Sequence, residues 1–177
     1  MREYAFRQQY RRTNMLDLLH KAEEALPALL RERSRWQGIF IAYHPPFVER
    51  VWCSYGELRI YLHRIFPCEK NAALLHPHPW PSAMRILDGT YEMGIGYSST
   101  TVPPPLACTL RLKAGSEYEM TNEHGWHYVL PLERPSLSLM VTGTPWQKTT
   151  PKQVMALEEL PEKKIVDLME LFSEKYA

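Results

Sequence analysis

The sequence predicts a mainly β protein: a small barrel with a helical extension before it and one helix after it. Residues 38–145 consist of short runs in which apolar and polar residues alternate, separated by Pro, Gly or Asn. Such runs are typical of a sandwich or barrel rather than of alternating β and α units. Residues 1–37 and 150–177 instead carry apolar residues at helical spacing. A chain of 177 residues is long enough for one domain, 1–177, with a sizeable core.

The N-terminal extension contains a helical pattern that runs from Asn14 to about Arg33. Asn14 has a side chain suited to capping the first turn of a helix. The apolar residues that recur at helical spacing are Leu16, Leu19, Ala22, Leu26, Leu29 and Leu30. Pro27 lies inside this pattern, and because proline has no backbone N–H, we expect it to kink the helix or to split it in two.

The barrel region contains six alternating runs that we predict to be strands. They are ELRIYLHRIF, SAMRIL, TYEMGIGY, ACTLRLKAG, WHYVLPL and SLSLMVTG. Between the second and the third run stands Asp88-Gly89, a dipeptide that favours a two-residue turn. We therefore predict a β-hairpin at this point.

The last segment of the chain returns to a helical pattern. Pro161 stands at the predicted first helical position, where its missing N–H costs nothing. The apolar stripe of this helix consists of Ile165, Leu168, Met169, Leu171 and Phe172. We expect the helices at both ends of the chain to pack on the outside of the barrel and to cover sheet edges.

Charge and composition restrict the partners that we expect. The chain has 21 basic and 20 acidic residues, so no strong net field attracts nucleic acid or an anionic membrane. It has neither the apolar stretch of a signal peptide nor the roughly 18 apolar residues of a membrane span. Its three cysteines, Cys53, Cys68 and Cys108, are widely spaced and odd in number, which argues against a disulfide framework. We expect a cytoplasmic protein.

Two histidines, His76 and His78, are separated by a single residue in a proline-rich stretch. On a strand, side chains two positions apart project from the same face, so both imidazoles can bind one metal ion. The chain has seven histidines, and such a pair also arises by chance as two solvated loop residues. A second block, which contains His124 and His127, begins a later predicted strand.

Together the two blocks resemble the conserved motifs of the cupin superfamily, whose fold is a double-stranded β-helix, a small jelly-roll barrel. The first motif carries two histidines one residue apart and a closing glycine, which His76, His78 and Gly89 match. The second motif carries a third histidine. His127 fits this position better than His124, because His127 belongs to the alternating run WHYVLPL and His124 falls on a turn. The resemblance implies a metal site formed by His76, His78 and His127.

The resemblance covers residues 55–143, and its departures bear on the chemistry. The glutamate ligand of ordinary cupins falls at Ser82, so three histidines remain as ligands. A three-histidine iron site is similar to that of the cysteine-dioxygenase group of thiol dioxygenases. The corresponding serine, histidine and tyrosine of that group fall here at Ser138, Met140 and Thr142, so we do not expect a strict cysteine dioxygenase.

The expected cofactor is one divalent transition metal ion, with Fe(II) favoured and zinc, nickel or manganese as alternatives. Three neutral imidazoles leave the charge of the ion uncompensated and several coordination positions open. The implied partners are therefore an anionic or chelating small-molecule substrate and dioxygen.

The strand ELRIYLHRIF supplies the catalytic candidates Arg59, Tyr61 and His63, which share its polar face. If this face points inward, the three residues line the metal cavity and Arg59 is suited to hold a carboxylate. If it points outward, they form an ordinary solvated face, and we favour this orientation. Arg50 and Arg64 are alternative candidates for the anion-binding arginine.

Two functions from different classes follow. The first, which we favour, is a metal-dependent oxidoreductase that adds dioxygen to a small chelating substrate. The second is a non-catalytic binding or sensor module with a vestigial metal site, whose helices serve a partner or a homodimer. The three histidines favour the first, and the missing family residues favour the second.

Overall fold

The computed structural model describes residues 14–146 and 157–176. The predicted helical segments extend beyond these ranges, and their parts at 1–13, 150–156 and 177 lie outside the described residues. Neither helix in the described ranges is both long enough and apolar enough to cross a membrane.

The described residues form two α-helices and eleven strands. They are α1 (Met15–Leu29), β1 (Gln37–Ile41), β2 (Val48–Tyr55), β3 (Leu58–Ile65), β4 (His76–Pro77), β5 (Ser82–Asp88), β6 (Thr90–Tyr97), β7 (Leu106–Lys113), β8 (Glu117–Met120), β9 (Gly125–Pro131), β10 (Ser136–Thr142), β11 (Glu158–Glu159) and α2 (Glu162–Lys175). Short 3-10 turns occur at Arg33–Arg35 and Lys70–Ala72.

The strands form two sheets in which the paired neighbours are antiparallel. The larger sheet has seven strands in the order β11-β1-β2-β3-β10-β5-β8, and the smaller sheet has four in the order β4-β9-β6-β7. The two sheets pack face to face around an apolar cluster of Ile41, Val48, Ile65, Ile86, Tyr91, Met93 and Val129. This arrangement confirms the predicted mainly β jelly-roll barrel with a helix at each end.

Both helices pack on the outer face of the larger sheet. Helix α1 contacts β5, β8 and β10, and helix α2 contacts β1, β2 and β3. Their apolar stripes join the outward residues of the sheet in one core, which includes Leu19, Leu26, Leu62, Leu139, Leu168 and Phe172. The helices thus cover the face of the sheet more than its edges, and the larger sheet is buried on both sides.

Helix α1 begins as predicted and is not split. The side-chain oxygen of Asn14 accepts hydrogen bonds from the backbone N–H groups of Leu16 and Asp17 at 3.1 and 3.3 Å. Pro27 lies in the last turn, and the helix ends at Leu29. Pro27 therefore does not divide the segment into two α-helices, because the helix ends only two residues after it.

The C-terminal segment contains a short strand that the sequence did not predict. Glu158 and Glu159 of β11 pair with Phe40 and Ile39 of β1, and helix α2 begins at Glu162, directly after Pro161. Glutamate has low β propensity, so two such residues carry no strand signal of their own. The pairing brings α2 onto the larger sheet.

The predicted hairpin at Asp88-Gly89 is wrong. Strands β5 and β6 belong to different sheets, so the chain crosses here from the larger sheet to the smaller one. Gly89 has a φ of +81°, and a Cβ at this position would lie 3.0 Å from the Cα of Ser136. The crossing therefore requires glycine. A local turn signal predicts a change of direction but not which sheet receives the next strand.

Candidate metal centre

Three histidine side chains converge at one end of the barrel interior. Strand β4 pairs with β9, so that His76 lies directly opposite His127. The ring of His127 lies 4.9 Å from that of His76 and 4.6 Å from that of His78, between centroids. One ligand atom from each of the three residues lies within 4.8 Å of the others. The cluster has the size required to share one metal ion.

The hydrogen bonds of His76 and His78 involve Nδ1 and leave Nε2 available to the ion, and Nδ1 of His127 is buried without a hydrogen-bond partner among the described residues. Nδ1 of His76 lies 3.0 Å from the carbonyl oxygen of Leu74, and since a carbonyl only accepts, this Nδ1 carries the proton. Nδ1 of His78 lies 2.8 Å from the hydroxyl of Ser82. The Nε2 atoms of His78 and His127 lie 2.9 Å apart. Two imidazole nitrogens this close suit a shared ion.

The surrounding protein keeps the three imidazoles neutral. Burial lowers the pKa of His78 to about 3, and the neighbouring His76 and Arg50 act in the same direction. Burial likewise lowers the pKa of His76 and holds that of His127 well below its ordinary value. Neutral imidazole is the form that binds a metal ion, so at neutral pH no proton competes for these nitrogens.

We expect the metal-free protein to lose stability in mild acid. The unfolded chain takes up histidine protons near pH 6.5, whereas folded His78 does so only near pH 3. Between these values the unfolded state binds more protons, so the stabilisation present above about pH 6.5 declines as the pH falls. Urea unfolding from about pH 8 to about pH 4 measures this decline. A His78→Gln variant should show a shallower pH dependence, and an equal slope in both proteins would contradict the explanation.

Ser82 is expected to strengthen metal binding by orienting His78. Its side chain is 2% exposed, and its hydroxyl is placed to accept the Nδ1 proton of His78. Loss of such an orienting group costs roughly 10- to 100-fold in metal affinity, so we expect this effect for Ser82→Ala, with recovery in Ser82→Thr. Competition with a chromophoric chelator measures the affinity. Ser138→Ala is the matched control, because Ser138 is fully buried and its hydroxyl has no hydrogen-bond partner among the described residues.

A cavity of about 370 Å³ adjoins the three histidines. Its apolar walls come from both sheets and consist mainly of Ile41, Val48, Ile65, Met84, Val129 and Met140. Its other polar side chains include His44, Arg50 and His63. A small molecule in this cavity would lie beside the Nε2 atoms and against a largely apolar surface.

The polar face of β3 points inward, which corrects our expectation that it faces solvent. Tyr61 and His63 are buried, at 5% and 3% exposed, while Ile60 and Leu62 point to the helices. The expectation failed because α1 and α2 cover the outer face, so that the apolar residues of β3 face helices instead of the barrel interior.

The three catalytic candidates on β3 are placed differently. His63 lines the cavity, and Tyr61 packs behind it against Met84 and Met140. Arg59 lies outside the cavity, is exposed, and stacks on the ring of Trp52 with its guanidinium carbon 4.9 Å from the ring centre. Arg59 is the second residue of β3, whereas His63, which lines the cavity, lies four residues further along the strand.

Of the alternative arginines, Arg50 lines the cavity and Arg64 does not. Arg50 Nε donates a hydrogen bond to His63 Nε2 at 2.9 Å. Arg64 Nε donates to the buried carboxylate of Glu49 at 2.6 Å. Arg50 and His63 are cross-strand partners, and successive residues of a strand face opposite sides, so Arg64, the residue after His63, points away from the cavity.

Two further histidines, His124 and His44, lie close to the cluster in sequence or in space. His124 lies on the turn before β9, half-exposed, and takes no part in the cluster. His44 lines the cavity, with its ring centroid 6.3 Å from that of His76, and the sequence analysis did not single it out. It belongs to the connection between β1 and β2, where no periodic pattern predicts the direction of a side chain.

Comparisons with known proteins identify no family for this chain. No family model matches it, and the search of curated proteins found no match. Among solved structures, hydroxypropylphosphonic acid epoxidase from S. wedmorenis is 12% identical with a TM-score of 0.46, over 59% of this chain and 55% of that one. KdgF from Halomonas sp. is 15% identical with a TM-score of 0.44, over 58% and 84%.

An Fe(II) form of HppE in complex with substrate is 13% identical with a TM-score of 0.47, over 60% of this chain and 56% of that one. This chain thus matches little more than half of the length of the epoxidase and HppE structures. At this level of similarity, the strand topology described above, rather than any of these proteins, defines the fold.

Proposed function

We propose that this protein is a metal-dependent cupin oxidoreductase that binds one divalent transition metal ion, Fe(II) in the favoured form, and acts with dioxygen on a small chelating substrate. The observation that supports this proposal is the convergence of three neutral imidazoles, His76, His78 and His127, at one end of a cavity large enough for a small molecule. A bound iron would supply the redox chemistry with dioxygen.

The donor set fits such an ion. The ligands would be three neutral nitrogen atoms, and among the described residues no carboxylate joins the cluster. The three neutral ligands would leave the ion its full charge, and the adjoining cavity offers room for further ligands, as in catalytic rather than structural sites. Zinc, nickel and manganese bind the same donors, so cellular availability decides among them.

The other residues of the cavity have roles in binding and orientation. The Leu74 carbonyl and the Ser82 hydroxyl hold His76 and His78 in place. The apolar walls exclude water from the reacting group of the substrate. Of the catalytic candidates on β3, we assign substrate contact to His63 and a supporting role to Tyr61, whose ring lies 5.3 Å below the Arg50 guanidinium. Arg59 receives no role.

Elemental analysis tests the metal site. We expect about one transition metal ion per chain in the purified protein and a strong loss in the His76→Ala/His78→Ala double variant, because one ligand cannot hold the ion. Equal metal content in the two samples would eliminate the assignment.

A second candidate function is a non-catalytic binding or sensor module. The observation in its favour lies on β10, where Ser138, Met140 and Thr142 are buried and supply neither imidazole nor phenol. Oxygen uptake by the iron-loaded protein, measured with thiols, diketones and aromatic diols, separates the two functions. Uptake with any of them supports the oxidoreductase, whereas no uptake combined with ligand binding in calorimetry supports the module.

A further inference from the structure

The cavity contains a cationic side chain, Arg50, that no carboxylate of the described residues neutralises. Arg50 donates through Nε to His63 and lies over the ring of Tyr61, and among the described residues it forms no ion pair. Other partly buried arginines of this protein are paired, Arg64 with Glu49 and Arg85 with Glu117. A positive charge left without a counter-ion in an apolar cavity is costly unless a ligand supplies one.

The partner of Arg50 holds its position without neutralising it. His63 accepts the Arg50 proton at Nε2, and this imidazole is neutral because burial, followed by the charge of Arg50 itself, holds its pKa well below its ordinary value. A carboxylate in the same place would have cancelled the charge. The neutral histidine instead fixes the guanidinium plane and leaves its terminal nitrogens for an anion.

The other residues that line the cavity restrict the kind of anion that can bind there. The described residues that line the cavity include no aspartate and no glutamate, so none of them offers a carboxylate to an ammonium group. An ammonium group would lose its hydration beside Arg50, a like charge. The aliphatic and thioether walls, including Val48, Met84 and Met140, match an apolar body.

We propose that the cavity selects an organic anion with an apolar body and without a cationic group. The anionic group binds Arg50, the apolar body lies between the two sheets, and the remaining end faces the three histidines. This substrate class excludes zwitterions such as α-amino acids and aminothiols. The inference deepens the proposed function and rests on it only for the contact with the metal, since Arg50 and the apolar walls are present without one.

Three probes of one skeleton test this selectivity. They are 3-phenylpropionate, phenylalanine, which adds the α-ammonium group, and 3-phenylpropanamide, which removes the charge. Calorimetry is performed on the metal-free and the zinc-loaded protein, because zinc is redox-inactive and does not react with the probes. We expect 3-phenylpropionate to bind at least about tenfold more tightly than either analogue, in both forms. Equal binding of phenylalanine, or failure of all three probes to bind, would overturn the inference.

Variants locate the selectivity at Arg50. In Arg50→Gln, the preference for 3-phenylpropionate over the amide should disappear, whereas Arg50→Lys should keep part of it as a simple positive charge. Arg59→Gln is the matched control, because Arg59 lies on the neighbouring strand, is exposed, and is outside the cavity. An unchanged preference in Arg50→Gln would contradict the proposal. If Arg50→Gln does not fold, the three-probe comparison on the unmodified protein still decides.

The two proposals can fail separately. Selective anion binding by a protein that takes up no metal would refute the metal centre and support the anion site. Stoichiometric metal binding without selectivity among the three probes would refute the anion site and leave the metal centre intact.

Discussion

His127→Ala is expected to abolish metal binding, whereas His124→Ala leaves it intact. His127 is 3% exposed, lies opposite His76 across a strand pair, and holds its Nε2 atom 2.9 Å from that of His78. Its removal leaves two donors on one short segment. The affinity should therefore fall by more than the roughly 10- to 100-fold expected for a residue that only orients a ligand.

Metal content after dialysis and chelator competition measure this effect. His124 and His127 are close in sequence, so comparing the two variants distinguishes the loss of a metal ligand from the loss of a neighbouring histidine. His124 lies on a half-exposed turn, where its Nε2 atom is 3.7 Å from a carboxylate oxygen of Glu123. If both variants lost metal equally, or if His127→Ala kept it, the three-histidine centre would be wrong. Circular dichroism verifies that both variants are folded.

Phe172→Ala is expected to have the largest effect on stability. The Phe172 side chain is fully buried where α2 packs on the outer face of the larger sheet. Truncation of a buried phenylalanine removes apolar burial and leaves a cavity, which together cost about 3–5 kcal/mol. Urea unfolding should show this decrease in the free energy of unfolding at an unchanged m-value.

Two controls identify the cause of this loss. Phe172→Leu conserves much of the volume and should cost less than about half as much. Glu170→Ala changes an exposed position of the same helix and should stay within about 0.5 kcal/mol. If Phe172→Ala were as mild as Glu170→Ala, α2 would not stabilise the barrel.

Local patterns in the sequence were sufficient for most of the fold class. Alternation along SLSLMVTG and ELRIYLHRIF predicted strands, and both were found as β10 and β3. Apolar stripes predicted α1 and α2, and Asn14 predicted the start of α1. These features depend on residues a few positions apart, so the chain itself carries them. The spacing of His76 and His78 belongs to the same class, because a strand places alternate residues on one face.

The sequence alone determined the alternating strand pattern, the terminal helices and the paired histidines. Only the tertiary structure decided what each face of a strand packs against. The polar face of β3 turned inward because two helices occupy the other side, and this placed His63 at the cavity. Arg59 shares that face but lies at the start of the strand, outside the cavity. The strand after Gly89 belongs to the second sheet. The register between β2 and β3 places Arg50 opposite His63, and this put Arg50 rather than Arg64 at the cavity. The physical reason is that strand periodicity defines two faces, while burial of a face depends on elements that are distant along the chain.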